Sequence, residues 1–135
     1  MNKYDLVIIG AGPAGYAAAM RAVDFKKKTL LIERNRMGGA GITNGALSSK
    51  TWWELSRETA SFRKSLNRYN IHAPQVAYAD VQGEVCRDVN ERKAMLEEHI
   101  HQLQRSRNDQ LLDLKYGQAK LRTPNRIEIL AGEQK

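Results

Sequence analysis

Three glycines and one carboxylate carry the first chemical signal in this sequence. Gly10, Gly12 and Gly15 stand in the stretch Gly10-Ala11-Gly12-Pro13-Ala14-Gly15, and Glu33 follows Gly15 by 18 residues. That spacing suits a bound dinucleotide. Gly10 permits a tight turn, Gly12 has no side chain to hold a diphosphate off the backbone, and Gly15 lets a helix close on a sheet. Free N–H groups at the start of that helix, with the helix dipole behind them, favour a phosphate anion. Pro13 and Ala14 complete the candidate contacts of the bend. Glu33 is placed to accept hydrogen bonds from a ribose diol, and its charge disfavours a 2′-phosphate. Arg34, directly after it, is a further candidate contact.

These residues need elements to hold them, and the surrounding sequence supplies them. Tyr4-Asp5-Leu6-Val7-Ile8-Ile9 is an apolar run ending at Gly10, which predicts a strand buried on both faces, as in parallel sheets. Tyr16-Ala17-Ala18-Ala19-Met20-Arg21-Ala22-Val23 is rich in helix formers. Thr29-Leu30-Leu31-Ile32 predicts a second buried strand with Glu33 at its end. The order strand, Gly turn, helix, strand is one βαβ unit. A plain Gly-rich turn would explain the apolar runs, but not three spaced glycines together with Glu33. Lys26, Lys27 and Lys28 follow the helix, where they complement its carboxyl-terminal dipole and stay solvated.

A second Gly-rich segment follows: Met37-Gly38-Gly39-Ala40-Gly41-Ile42-Thr43-Asn44-Gly45-Ala46-Leu47-Ser48-Ser49-Lys50. Here the sequence resembles the N-terminal FAD-binding region of the pyridine nucleotide–disulfide oxidoreductases, above all the dihydrolipoamide dehydrogenase, mercuric reductase and soluble transhydrogenase branches. The family pattern is G-G-T-C-x-N-x-G-C-x-P-S-K, and Gly38, Gly39, Gly45, Ser49 and Lys50 match it. The resemblance begins at Tyr4 and weakens after Trp53. It implies FAD, with the adenosine on the first motif and the flavin end near residues 39–50. It implies that Gly38, Gly39 and the adjacent Ala40 bring backbone to the cofactor and that Lys50 lies against the flavin. A cation there would favour electron density on the ring. The bland alternative for Lys50 is an exposed lysine opening a helix.

The departures from the pattern matter equally. The family's two redox cysteines fall at Gly41 and Ala46, and its Thr and Pro at Ala40 and Ser48. Dithiol exchange needs one thiolate to attack and a second to resolve, so reduction through an active-site disulfide is excluded at these positions. Cys86, the one cysteine, lies far along the chain and is no substitute. What the resemblance leaves is flavin chemistry without the disulfide.

Beyond the motif, residues 48–67 predict a helix, with Ser48 or Ser49 as N-cap and Trp52, Leu55, Thr59, Phe62 and Leu66 as its packing stripe. Trp52 is expected to pack and Trp53 to be partly exposed. Residues 72–83 read as a loop. Residues 90–108 predict a second helix, capped by Asp88 or Asn90, with Ala94, Leu96, His99, Ile100 and Leu103 on its apolar side. His99 and His101, two apart, point in different directions and make a poor metal site; both are read as surface residues. Residues 111–121 and 126–130 are strand-like around a Thr123-Pro124-Asn125 turn, giving a terminal hairpin. The family resemblance places a Gly-x-Ala step at Gly117-Gln118-Ala119, bringing Ala119 near the adenine; the alternative is a strand with a Gly kink.

Together these readings give an α/β fold, the N-terminal portion of a Rossmann-like FAD-binding domain with a parallel sheet, long helices and a terminal β-hairpin. The 135 residues suit one domain. One cysteine allows no internal disulfide, nothing demands an oxidising compartment, and a cytoplasmic location is expected. No apolar stretch is long enough to span a bilayer. The net charge of +7 raises nucleic-acid binding, but the basic residues are scattered and form no recognised motif. Only one dinucleotide fingerprint occurs. The chain is therefore expected to be a partial FAD-binding domain over residues 1–135, short of nicotinamide-binding and dimerisation domains, with NAD(P)H engaged only when those are present. The partners expected are FAD and the remaining domains or a partner subunit, with a homodimer when complete. The function expected is that of a flavin-dependent oxidoreductase segment. The alternative is a non-catalytic adenine-dinucleotide-binding module.

Overall fold

The structure, a computed structural model, describes residues 2–43, 45–106 and 111–130. The chain opens with β1 (Leu6–Ile9), α1 (Pro13–Asp24) and β2 (Thr29–Glu33). A short α2 (Gly39–Thr43) and two long helices, α3 (Ala46–Arg68) and α4 (Tyr78–Ser106), follow. Three strands close it: β3 (Leu112–Tyr116), β4 (Gln118–Thr123) and β5 (Arg126–Leu130). The first three-stranded sheet has the order β1-β2-β3, all parallel, with Leu6 opposite Thr29 and Glu33 opposite Tyr116. β4 and β5 pair antiparallel as the terminal hairpin.

β2 is the central strand, and all five of its residues are buried, as its unbroken apolar run predicts. β1 differs from the expectation. Leu6 is 41% and Ile9 55% exposed. β1 is an edge strand with β2 on one side only, and an apolar run fixes a residue's preference for burial without supplying the neighbour.

The core lies between the sheet and helices α1 and α4. Ala19 and Val23 of α1, Leu31 of β2, Leu112 of β3, and Leu96 and Ile100 of α4 form one buried cluster, joined by Met37 and Ile42. The small Ala19 and Ala22 let α1 lie close on the strands. Tyr4 reaches from ahead of β1 to donate its hydroxyl to Asp113 Oδ2 of β3 at 2.7 Å. At the other end, the hydroxyl of Tyr16 on α1 hydrogen-bonds His99 Nδ1 on α4.

The helices depart from expectation at their starts. Gly45 caps α3, with no side-chain hydrogen bond. Ser48 lies inside the helix and donates its hydroxyl to Gly45 O at 3.2 Å, because Ala46 and Leu47 already favour the helical conformation. Trp52 is half-buried and stacks on Tyr78, with ring centroids 5.2 Å apart. Trp53 is exposed as expected, whereas Phe62, expected on the packing stripe, is also exposed, because no element packs against that turn of α3 among the described residues.

α4 begins at Tyr78, so residues 78–83 are helical rather than loop, and Asp88 and Asn90 lie in its interior instead of capping it. The signal was a buried stripe that starts early: Val85 and Val89, continued by Leu96 and Ile100. Ala94 and His99 are exposed and do not belong to that stripe. The end expected at Asn108 lies outside the described residues.

The strand expected over residues 111–121 is broken at Gly117. Its φ of +153° turns the chain out of the parallel sheet into the hairpin, and a Cβ there would sit 2.6 Å from both Ile129 Cγ2 and Leu130 O. A side chain at 117 would prevent the hairpin from folding back so tightly.

Candidate nucleotide site at the carboxyl end of the sheet

The chain leaves β1 through Gly10, whose φ of +97° belongs to the left-handed region. Its amide donates to Ile32 O at 2.7 Å. Ala11, fully buried, donates its amide to Glu33 Oε2 at 2.6 Å and accepts the Gly38 amide at 2.9 Å. Gly12 is the N-cap of α1 and Pro13 takes the first helical position, where its ring pre-sets φ and no amide is lost. The first helical bond runs from the Tyr16 amide to Gly12 O at 2.9 Å. No side chain caps α1, so the amides of Ala14 and Gly15 point outward without an intrahelical acceptor.

The glycines of this bend play distinct parts. A Cβ on Gly15 would lie 1.8 Å from Gly10 O, so its absence is what lets α1 start directly on the turn. A Cβ on Gly12 would meet nothing within 4 Å. Gly12 therefore borders open space beside the bare start of the helix.

Glu33 ends β2 with its side chain turned to the same bend. It is 7% exposed. Besides the Ala11 amide, its Oε1 accepts the Asn35 amide at 2.8 Å, and its backbone oxygen accepts the Gly117 amide at 2.8 Å. One residue thus joins the Gly-rich turn, the chain after β2 and the exit of β3.

The second Gly-rich segment docks on the first. A Cβ on Gly39 would lie 3.1 Å from Gly12 Cα, and one on Gly41 would lie 2.8 Å from Pro13 Cγ. Gly10, Gly12, Pro13, Gly15, Glu33, Gly38 and Gly39 are therefore gathered at the carboxyl ends of β1 and β2, where open α/β sheets bind ligands. Ala14 and Ala40 are exposed on the first turns of α1 and α2, and Arg34 is exposed beside Glu33. Lys50 lies apart in α3, 71% exposed, paired with Glu54 at 3.8 Å. Ala119 is half-buried in β4 opposite Ile129.

Tyr116 was not singled out by its sequence. It stands opposite Glu33 and donates its hydroxyl to Glu97 Oε1 of α4 at 3.1 Å. Burial first, then the charge and hydrogen bond of Glu97 and the charge of Glu33, push its phenol up to about 12. Burial also raises the Tyr16 phenol, against the opposing charge of Arg92. A depression lined by Ala60, Arg63, Lys64, Asn67 and Arg68 on α3 shares no residue with this crevice.

Comparison with known proteins gives the chain a family. The sequence pattern of the pyridine nucleotide-disulphide oxidoreductases matches residues 4–132. A glutathione reductase from Debaryomyces hansenii is 31% identical over 140 residues, covering 99% of this chain and 28% of that protein. A dihydrolipoyl dehydrogenase from Chlamydia pneumoniae is 46% identical over 71 residues, covering 53% of this chain and 15% of that protein. Among solved structures, the flavoprotein disulfide reductase RclA from Escherichia coli superposes with a TM-score of 0.70 at 21% identity, covering 98% of this chain and 27% of that one. LpdA from Mycobacterium tuberculosis gives 0.69 at 22% identity, over 88% of this chain and 24% of that one. These structural likenesses establish the α/β fold with its parallel sheet, long helices and terminal hairpin. The chain spans less than a third of the length of each of these proteins.

Proposed function

The chain belongs to the pyridine nucleotide-disulphide oxidoreductase family, and on that premise we propose that it binds FAD as part of an oxidoreductase that works without a redox disulfide. In this reading residues 1–135 are part of an FAD-binding domain. Gly10, Gly12, Pro13, Ala14 and Gly15 form the diphosphate cradle. Glu33 and Arg34 flank the ribose, Gly38, Gly39 and Ala40 line the path toward the flavin, and Ala119 borders the adenine.

The residues present fit such a cofactor. A diphosphate needs a donor-rich surface with no side chain in the way. The open space at Gly12 and the uncapped start of α1 provide both. The observation that carries the reading is the Glu33 carboxylate, buried and held on the Ala11 amide at 2.6 Å. It places a negative acceptor beside the phosphate cradle, where a ribose diol would donate to it. FAD would supply the hydride-accepting ring; the chain's own residues bind and orient it. Lys50 reaches the flavin in this reading only by leaving Glu54. An exposed pair of that kind is worth about 0–1 kcal/mol, so the exchange costs little.

Gly41 and Ala46 stand where the family pattern has its thiols, so the proposed activity is transfer of electrons between a nicotinamide nucleotide and an acceptor other than that disulfide, completed by further polypeptide. We place this activity in the cytoplasm, in a homodimer when complete. No helix among the described residues is long and apolar enough to cross a membrane.

The test is to incubate the purified chain with FAD, remove excess, and look for flavin absorption and for flavin released on denaturation. Retained flavin supports the reading. Colourless protein that binds ADP would favour a non-catalytic adenine-nucleotide module, the reading that the missing thiols favour. Binding of neither would overturn both.

A further inference from the structure

The crevice at the carboxyl ends of β2 and β3 has a wall that the Gly-rich motifs do not account for. Glu33 and Tyr116 are register partners, so their side chains leave the same face of the sheet. That face is the one covered by α1 and α4, because Leu31 and Leu112 on it join the core cluster with Ala19 and Ile100. The start of α1 opens at the same end.

Tyr116 is 46% exposed, yet it is not loose. Glu97 holds its hydroxyl, and the next residue, Gly117, is pinned by its amide to Glu33 O. A ring fixed at its tip and at its backbone still offers a flat face. An aromatic face held beside a ribose-binding carboxylate suits a purine base. We infer that Tyr116, positioned by Glu97, forms the adenine-facing wall of the nucleotide site. This rests on the nucleotide reading above and adds to it the residue on which the adenine stacks.

The test titrates FAD and ADP against the full chain, against Tyr116→Leu and against Tyr116→Phe. The Leu variant keeps bulk but loses the flat face, and should bind both ligands about tenfold more weakly. The Phe variant keeps the face but loses the bond to Glu97, and should bind more weakly than the parent by about two- to threefold, well short of the loss in the Leu variant. Equal ADP affinity in the Leu variant, or an equal loss in the Phe variant, would overturn the inference and leave the nucleotide reading standing. No binding of either ligand by the parent chain would overturn both. Should the Leu variant not fold, the parent decides alone: a nuclear Overhauser contact between the Tyr116 ring and adenine protons is expected in the ADP complex, and its absence sinks the inference.

Discussion

Glu33 Oε2 and the Ala11 amide are 2.6 Å apart, and this contact makes the carboxylate at the end of β2 and the Gly-rich turn one rigid unit. A hydrogen bond to a charged group contributes about 1.5–3 kcal/mol, and leaving the donor unpaired costs more than the bond's net worth. Glu33→Ala should therefore lower unfolding stability by about 2–3 kcal/mol and weaken FAD binding, read by urea melts and flavin titration. Glu33→Lys should weaken FAD further, since it sets a cation where the diol needs an acceptor. Unchanged affinity in both variants would remove Glu33 from the site.

The two glycines of the bend should separate folding from binding. Gly15→Ala drives a Cβ to 1.8 Å from a backbone oxygen that cannot move aside, and should cost about 3 kcal/mol or more. Gly12→Ala meets nothing, and at an N-cap should cost about 1 kcal/mol or less. It fills the space proposed for the diphosphate, so its FAD affinity should fall more than tenfold. Thermal melts and titrations on both variants check this. A Gly12→Ala chain that binds normally would move the diphosphate elsewhere.

Tyr116 should leave its mark at alkaline pH. Its phenol is raised from 10.0 to about 12. Below about pH 10 it is protonated in the folded and the unfolded chain, and its contribution to stability is complete. As pH rises from there toward about 12, the unfolded chain gives up the proton first and stability declines. Tyr116→Phe removes this titration, so the stability difference between parent and variant should change across that window. A constant difference would show that the phenol is not held protonated.

The parts of the structure legible in the sequence are those whose cause is local. Gly10, Gly15 and Glu33 fall where the spacing puts them, because a turn, a close helix and a strand end are set by neighbouring residues. β2 is buried on both faces because its apolar run happens to lie in the middle of the sheet. β1 has an equally apolar run, yet Leu6 and Ile9 are exposed, because burial there depends on a neighbour that a run of side chains cannot specify. The first turns of α4 are not legible locally: Gly83 and the polar residues around it look like a loop, and only Val85 and Val89 under the core make them helical. Tyr116 with Glu97, and Tyr16 with His99, are contacts between elements far apart in sequence. No local pattern announces them.

Position 41 is where the chain departs most from its family's chemistry, and geometry suggests a thiol cannot simply be put back. A Cβ on Gly41 would lie 2.8 Å from Pro13 Cγ and 3.3 Å from Pro13 Cδ, so α2 rests on the proline that starts α1. Gly41→Cys under reducing conditions should cost about 1–3 kcal/mol through overpacking. If the proline ring is the obstacle, Pro13→Ala should recover much of that loss. A double-mutant cycle over positions 13 and 41 should then show a coupling of about 1 kcal/mol or more. Adding Ala46→Cys should give no disulfide reductase activity with the chain alone, because nothing in these residues supplies a second dinucleotide fingerprint for the reductant. A Gly41→Cys chain as stable as the parent, with zero coupling to Pro13, would show that α2 is free to yield. The absence of a thiol would then be a matter of chemistry rather than of space.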